Sequence, residues 1–212
     1  MRRLTLIGLA TLLAVSCGIN KNTDPAGDAP VVLRMTKVQG AAEIAVPPIW
    51  YDHLLSDVHT CGTVINDDAL LSFDVVAKNA DYAQTAQTGL NDVLLQTYTV
   101  HFIRTDGHQM QGVDVPYDFS GALSGVVYLK SVSPMSSAIV LARHSAKLEP
   151  PLSALVGMGG ESLIDTTAQI TAYGRTANGS NVQATGYLQV TFADFADPQT
   201  CPFATPAATP TP

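Results

Sequence analysis

The segment Asp52-His53 to Asp57-Val58-His59-Thr60-Cys61 gathers two imidazoles, two carboxylates and a thiol within ten residues. Zinc and copper both accept such donors. Metal ligands must also converge, and the segment has neither a CxxC pair nor the HExxH repeat that puts two imidazoles on one helix face. It reads as a polar loop whose cysteine forms a disulfide, and no metal is expected there. No CxxCH occurs for covalent haem.

The remaining histidines offer no acid–base partner in sequence. His101 falls mid-strand, opposite the face shared by Tyr98, Val100 and Phe102, and is expected to be an exposed sheet histidine. His108 follows the Asp106-Gly107 turn and is expected in solvent. His144 lies beside Arg143 and near Lys147 and Glu149, which suits an ion pair. Nucleophile motifs are missing too: GxSxG and SxxK do not occur, and Gly157-Met158-Gly159-Gly160-Glu161-Ser162 matches a loop better than a nucleophile elbow. Asp67-Asp68 and Asp194 with Asp197 could donate oxygens to calcium, which takes about six to eight. Neither pair fits an EF-hand loop, and both read as strand-end solvation. The expectation is therefore no catalytic residue, no metal and no cofactor.

The amino end sets the location of whatever chemistry remains. Met1-Arg2-Arg3 is basic, and Leu4 to Ser16 is a 13-residue run without charge. A membrane-spanning helix needs about 20 residues, so the run fits an export signal instead. Leu13-Ala14-Val15-Ser16-Cys17 resembles the lipobox of bacterial lipoproteins, with Ala14 where leucine is commonest. That resemblance implies removal of residues 1–16 and acylation of Cys17 by chains such as palmitate. Gly18 in the next position then implies passage to the outer membrane.

Without the signal, 196 residues remain, with nine basic and eighteen acidic side chains and a net charge of −9. An acidic body without a basic run is unsuited to nucleic acid, whose phosphates must be neutralised. With Cys17 committed to lipid, Cys61 and Cys201 are left over. In an oxidising compartment they pair most simply, closing a loop worth up to about 5 kcal/mol on a chain-entropy account; free or metal-binding thiols are the other reading.

Residues 17–30 are polar, with Pro and Gly, and read as a lipidated tether. Residues 203–212 (FATPAATPTP) read as a disordered Pro/Thr/Ala-rich tail. Between them, residues 31–202 read as one β domain. In Asn181 to Phe192, Val182, Ala184, Gly186, Leu188, Val190 and Phe192 take one face and polar residues or Tyr187 the other, the period of a half-buried strand. Ala168 to Tyr173 alternates likewise. A two-residue Asn178-Gly179 loop would mix wet and dry faces, whereas a three-residue loop, Ala177-Asn178-Gly179, pairs Ala172 with Ala184 and Ala168 with Leu188.

Further strands are predicted at Val31–Val38, Ala69–Lys78, Val93–Arg104, Ala122–Lys130 and Ser136–Arg143, with one helical turn in Glu149 to Leu155. About seven strands and short turns indicate an all-β, antiparallel immunoglobulin-like sandwich. The stretches Arg104-Thr105-Asp106-Gly107, Gly112 to Pro116 and Ala193 to Pro198 resemble uncharacterised bacterial secreted proteins with immunoglobulin-like folds. The resemblance implies a fold and an envelope location and carries no site residues.

The expected function is non-enzymatic: a surface-tethered structural or protein-interaction module, contacting its membrane through lipid and a protein partner through the loops Pro47–Val64 and Asn79–Asp92. Two alternatives stay open. One is a carbohydrate or small-ligand module, for which the aromatic content of 7% is low. The other is a hydrolase whose site is assembled from distant residues.

Overall fold

A computed structural model of the chain describes residues 29–41, 48–79, 89–129 and 131–197. Strands β1 (Val31–Ala41), β2 (Trp50–Tyr51), β3 (His53–Asp57), β4 (Asp67–Ala77) and β5 (Val93–Ile103) are followed by β6 (Phe119–Val127), β7 (Met135–Ala142), β8 (Leu163–Thr176) and β9 (Asn181–Ala193). One sheet has the order β2-β1-β4-β7 and the other β3-β9-β8-β5-β6. The result is an all-β sandwich. Cys17, Cys201, the tether and the carboxyl-terminal tail lie outside the described residues.

Alternation drives both sheets together. Leu71, Phe73, Phe102, Ile170, Leu188 and Phe192 all point inward and are buried. The sheets come closest where β1 crosses β9. A Cβ on Gly186 would lie 2.4 Å from Met35 Sδ and 2.6 Å from Val38 Cγ2, so only glycine permits this approach.

The β8–β9 hairpin follows the parity argument. Ala172 pairs with Ala184 and Ala168 with Leu188. Thr176 N–H donates to Ser180 O at 2.9 Å and Gly179 N–H to Thr176 O at 2.8 Å, closing a three-residue loop. Gly179 has φ +96°, the left-handed residue that such a bulged hairpin requires.

Two expectations need correction. The segment expected as loop contains β2 and β3, and β3 runs parallel to β9, from His53 opposite Gln189 to Asp57 opposite Ala193. The described residues thus form nine strands rather than about seven, and the pairing is not wholly antiparallel. Polarity hid β3: Ser56 points inward and is buried, whereas Leu55 points outward and is 56% exposed. The helical turn appears at Leu152–Leu155, but an unforeseen second one, α1 (His144–Lys147), precedes it.

The topology gives the sandwich two distinct ends. At the amino-terminal end, Lys78 N–H donates to Pro30 O at 3.0 Å, and Ala177 and Asn178 donate to Asp92 O and Leu90 O at 3.2 and 3.1 Å. The 128–134 connection and the β8–β9 hairpin lie there too. The opposite end gathers residues 58–66, 104–118, 143–162 and 194–197.

Candidate functional site

The donors of the Asp52–Cys61 segment are kept apart: His53 and Asp57 stand at the two ends of β3, about four residues of extended chain from each other, and each is bonded to different neighbours. His53 projects outward, its Nε2 2.9 Å from Thr191 Oγ1. The Thr191 hydroxyl donates to Asp165 Oδ1, so its oxygen accepts from the imidazole N–H. Asp57, the last residue of β3, is buried under the chain that follows and accepts from Thr60 Oγ1 at 2.9 Å and from the Phe195 backbone N–H at 3.1 Å. Asp52 accepts from Gln39 Nε2 at 3.1 Å. The Cys61 backbone N–H donates to Asp197 Oδ1 at 2.5 Å. Among the described residues no three His, Cys, Asp or Glu side chains converge on a metal position.

Asp67 also leaves the calcium reading. It is fully buried against Lys147, whose Nζ donates to Asp67 Oδ1 at 2.8 Å and to Asp57 O at 2.7 Å. Its other oxygen accepts from Ser56 Oγ at 2.7 Å. This polar knot ties α1 to both sheets. Asp194 accepts from the Gly157 N–H, and Gly157, Gly159 and Gly160 take positive φ, so the glycine run is a sequence of turns. Among the described residues His144 makes no ion pair; its backbone N–H and Nδ1 both meet Asn66 Oδ1, at 2.7 and 3.2 Å.

Sequence reasoning missed one dyad. His101 Nδ1 lies 2.7 Å from Asp118 Oδ1, beside a cleft lined in part by Tyr117, Asp118, Arg143 and Glu149. Arg143 sits 4.2 Å above the Phe119 ring and donates to Ser120 O at 2.6 Å, which holds the guanidinium against the sheet. His101 and Asp118 are 17 residues apart, joined by a connection whose course no local motif encodes. The dyad can hold and pass a proton, but among the described residues no hydroxyl or thiol is hydrogen-bonded to His101.

The connection itself is braced by charge. Arg104 forks onto Asp106, which also accepts from the His108 N–H at 3.1 Å. The Arg104 guanidinium, and then that N–H, lower the Asp106 carboxyl to about 2. A carbon-detected NMR titration is expected to find this midpoint, and Arg104→Gln is expected to raise it toward the ordinary carboxylate range. An unmoved midpoint would remove Arg104 as the cause.

The outer face of the five-stranded sheet is an organised surface. Thr167, Gln169, Thr171, Tyr173 and Arg175 of β8 stand beside Asn181, Gln183, Thr185, Tyr187 and Gln189 of β9. Thr171 and Thr185 hydroxyls meet at 3.1 Å, and Gln169 Nε2 donates to Tyr187 Oη at 3.4 Å. Arg175 is the one full charge in these two rows, on a chain of net charge −7. Tyr173 and Tyr187 are exposed. Amides, hydroxyls and two phenol rings on a flat, rigid support make a surface for contact. No family model matches the chain, and comparison with curated proteins finds no relative.

Proposed function

We propose that this protein is an exported lipoprotein, anchored through Cys17, that acts by contact through its β-sandwich and catalyses no reaction. The observation that carries the contact reading is the sparsely charged outer face of β8 and β9, where Arg175 and, toward the far end, Asp165 are the charged residues. Charged side chains commonly solvate an exposed sheet, and their scarcity here lowers the desolvation cost of covering this one. Its residues sit on regular strands, which fixes their positions better than the loops expected to make contact.

The strand order supports an immunoglobulin-like reading. β1-β4-β7 against β9-β8-β5-β6 follows the Greek-key order A-B-E against G-F-C-C′. The proposed Cys61–Cys201 disulfide is supported by Asp197, which holds the Cys61 backbone four residues before Cys201 in the chain. The non-enzymatic reading draws on the hydrogen bonding: Thr191, Asp57, Asp67 and Lys147 are committed to neighbours within the fold.

A second reading has its own observation. Tyr173 and Tyr187 share the outer face with three glutamines and several threonines, which suits a carbohydrate ligand. A low average aromatic content does not weigh against it, because these rings are concentrated on one face.

Labelled palmitate is expected to enter the wild-type protein and to be absent from Cys17→Ala, which should move to the soluble fraction. Unchanged membrane retention of that variant would defeat the anchor. Photo-crosslinkers at Tyr187 and, as a control, Val113 then test the face. Capture concentrated at Tyr187 supports contact there, and capture at Val113 alone moves it to the opposite end. Retention on immobilised glycans that is lost in Tyr173→Ala and Tyr187→Ala selects the carbohydrate reading.

A further inference from the structure

The end of the sandwich from which the tether leaves differs in chemistry from the opposite end. Leu94 on β5 pairs with Val126 on β6 and Arg175 on β8, and the three line one shallow cleft. Leu90, Tyr128 and Val132 extend this apolar rim, and all are exposed. Pro30, the last described residue before β1, is bonded into the same end through Lys78.

Exposed apolar side chains occur at the opposite end too, Met110, Val113 and Leu163 among them, so it is charge that separates the two ends. Of the fourteen described acidic residues, only Asp74 and Asp92 lie toward the amino-terminal end, with Arg34, Lys78 and Arg175. The other twelve, Asp57, Asp106, Glu149 and Asp194 among them, lie toward the opposite end with Arg104, Arg143 and Lys147. With two carboxylates against three basic side chains, the described residues of the amino-terminal end are near neutral.

We propose that this apolar, near-neutral end docks on the surface of the membrane that holds the Cys17 lipid, an anionic phospholipid surface. The inference rests on the anchor reading and adds an orientation to it. Residues 17–28 would form the tether, and a chain of that length spans roughly 20 Å as a random coil. An 11-residue strand adds about 37 Å beyond it at about 3.4 Å per residue, so the amino-terminal end is the one the lipid keeps close. Tethering raises its effective concentration at the surface to about the millimolar range, where a weak apolar contact becomes populated. An anionic surface repels the acidic end and favours the orientation in which Leu90, Tyr128 and Val132 meet the headgroups. Docking also leaves the far loops and most of the β8–β9 face directed away from the lipid.

Tyr117 and Tyr128 supply an internal comparison, because they lie at opposite ends and are 56% and 59% exposed. The full lipidated protein is reconstituted in phosphatidylethanolamine–phosphatidylglycerol vesicles and oxidised with hydroxyl radicals. Tyr128 is expected to react roughly five-fold more slowly than Tyr117, as for a rim docked about four-fifths of the time. In L90E/L94E, two changes at exposed positions, the two rates should become equal while the protein still floats with the vesicles. Equal rates in floating wild-type protein, or protection of Tyr117 instead, would overturn docking and leave the anchor intact. Wild-type protein that does not float removes the anchor and the docking proposal together.

Discussion

Replacing Lys147 by methionine is expected to destabilise the protein by about 3–5 kcal/mol, measured by urea unfolding. Lys147 is fully buried, and its ammonium is held by Asp67 Oδ1 and Asp57 O at 2.8 and 2.7 Å. Methionine fills much the same volume, so lost packing contributes little. What remains is a carboxylate in an apolar interior without its counter-charge, together with an unmatched backbone carbonyl. Asp67 cannot escape to water, because Ser56 bonds its other oxygen and β4 fixes its backbone opposite Ala142. The double variant Lys147→Met/Asp67→Asn removes both charges and keeps an acceptor for Ser56, and it should recover at least half of the loss. A single-variant cost below about 1 kcal/mol would mean that the ion pair is as dispensable as a surface pair.

That knot was invisible in the sequence for a physical reason. Hydrophobic periodicity locates side chains that leave water for lack of polar groups, but Lys147, Asp67, Asp57 and Ser56 are buried because they satisfy one another. Their partners lie 80 to 90 residues apart for Lys147 and 11 for Ser56, beyond any local pattern. The same blindness hid β3, whose inward Ser56 and outward Leu55 reverse the expected polarity. It also hid the His101–Asp118 pair, which depends on how a 15-residue connection returns to the sheet. The β8–β9 hairpin was legible because a half-buried sheet leaves its register no freedom: a slip of one residue would turn Leu188, Val190 and Phe192 into solvent. The wet face was legible in the same alternation. Its scarcity of charge became meaningful only once β8 and β9 were set side by side, so that two tyrosines and three glutamines belonged to one surface.

Phe192→Ala is expected to cost about 3–5 kcal/mol, and so is Phe102→Ala. Phe192 on β9 and Phe102 on β5 are not neighbouring strand partners, since β8 lies between them. Their rings meet all the same, with centroids 5.7 Å apart at an interplanar angle of 68°. The β8 partner of Phe102 is the fully buried Ala168 and that of Phe192 is Ile164, so the rings meet diagonally across β8, and Ala168 puts only a methyl group beside Phe102. A methyl group there leaves room for an edge-to-face contact above β8, so three strands share one packing unit. The rings should therefore be coupled: the double variant Phe102→Ala/Phe192→Ala is expected to lose about 0.5–1.5 kcal/mol less than the two single losses added. Ala168→Leu approaches the same contact from the other direction. Its added bulk would press on Phe102, its partner across β5 and β8, with an expected cost of about 1–3 kcal/mol in wild type and less in the double alanine variant, which has space to receive it. Strict additivity of the two phenylalanine losses would show that the rings touch without acting together. An Ala168→Leu cost unchanged by the double alanine background would place the strain elsewhere on β8. Because Phe192 is followed directly by the turn in which Asp194 holds Gly157 and Asp197 holds Cys61, this unit also anchors the end of the sandwich that carries most of the acidic residues. Its loosening should speed amide exchange at Cys61 and Gly157 before it reaches the β8–β9 hairpin loop at the other end.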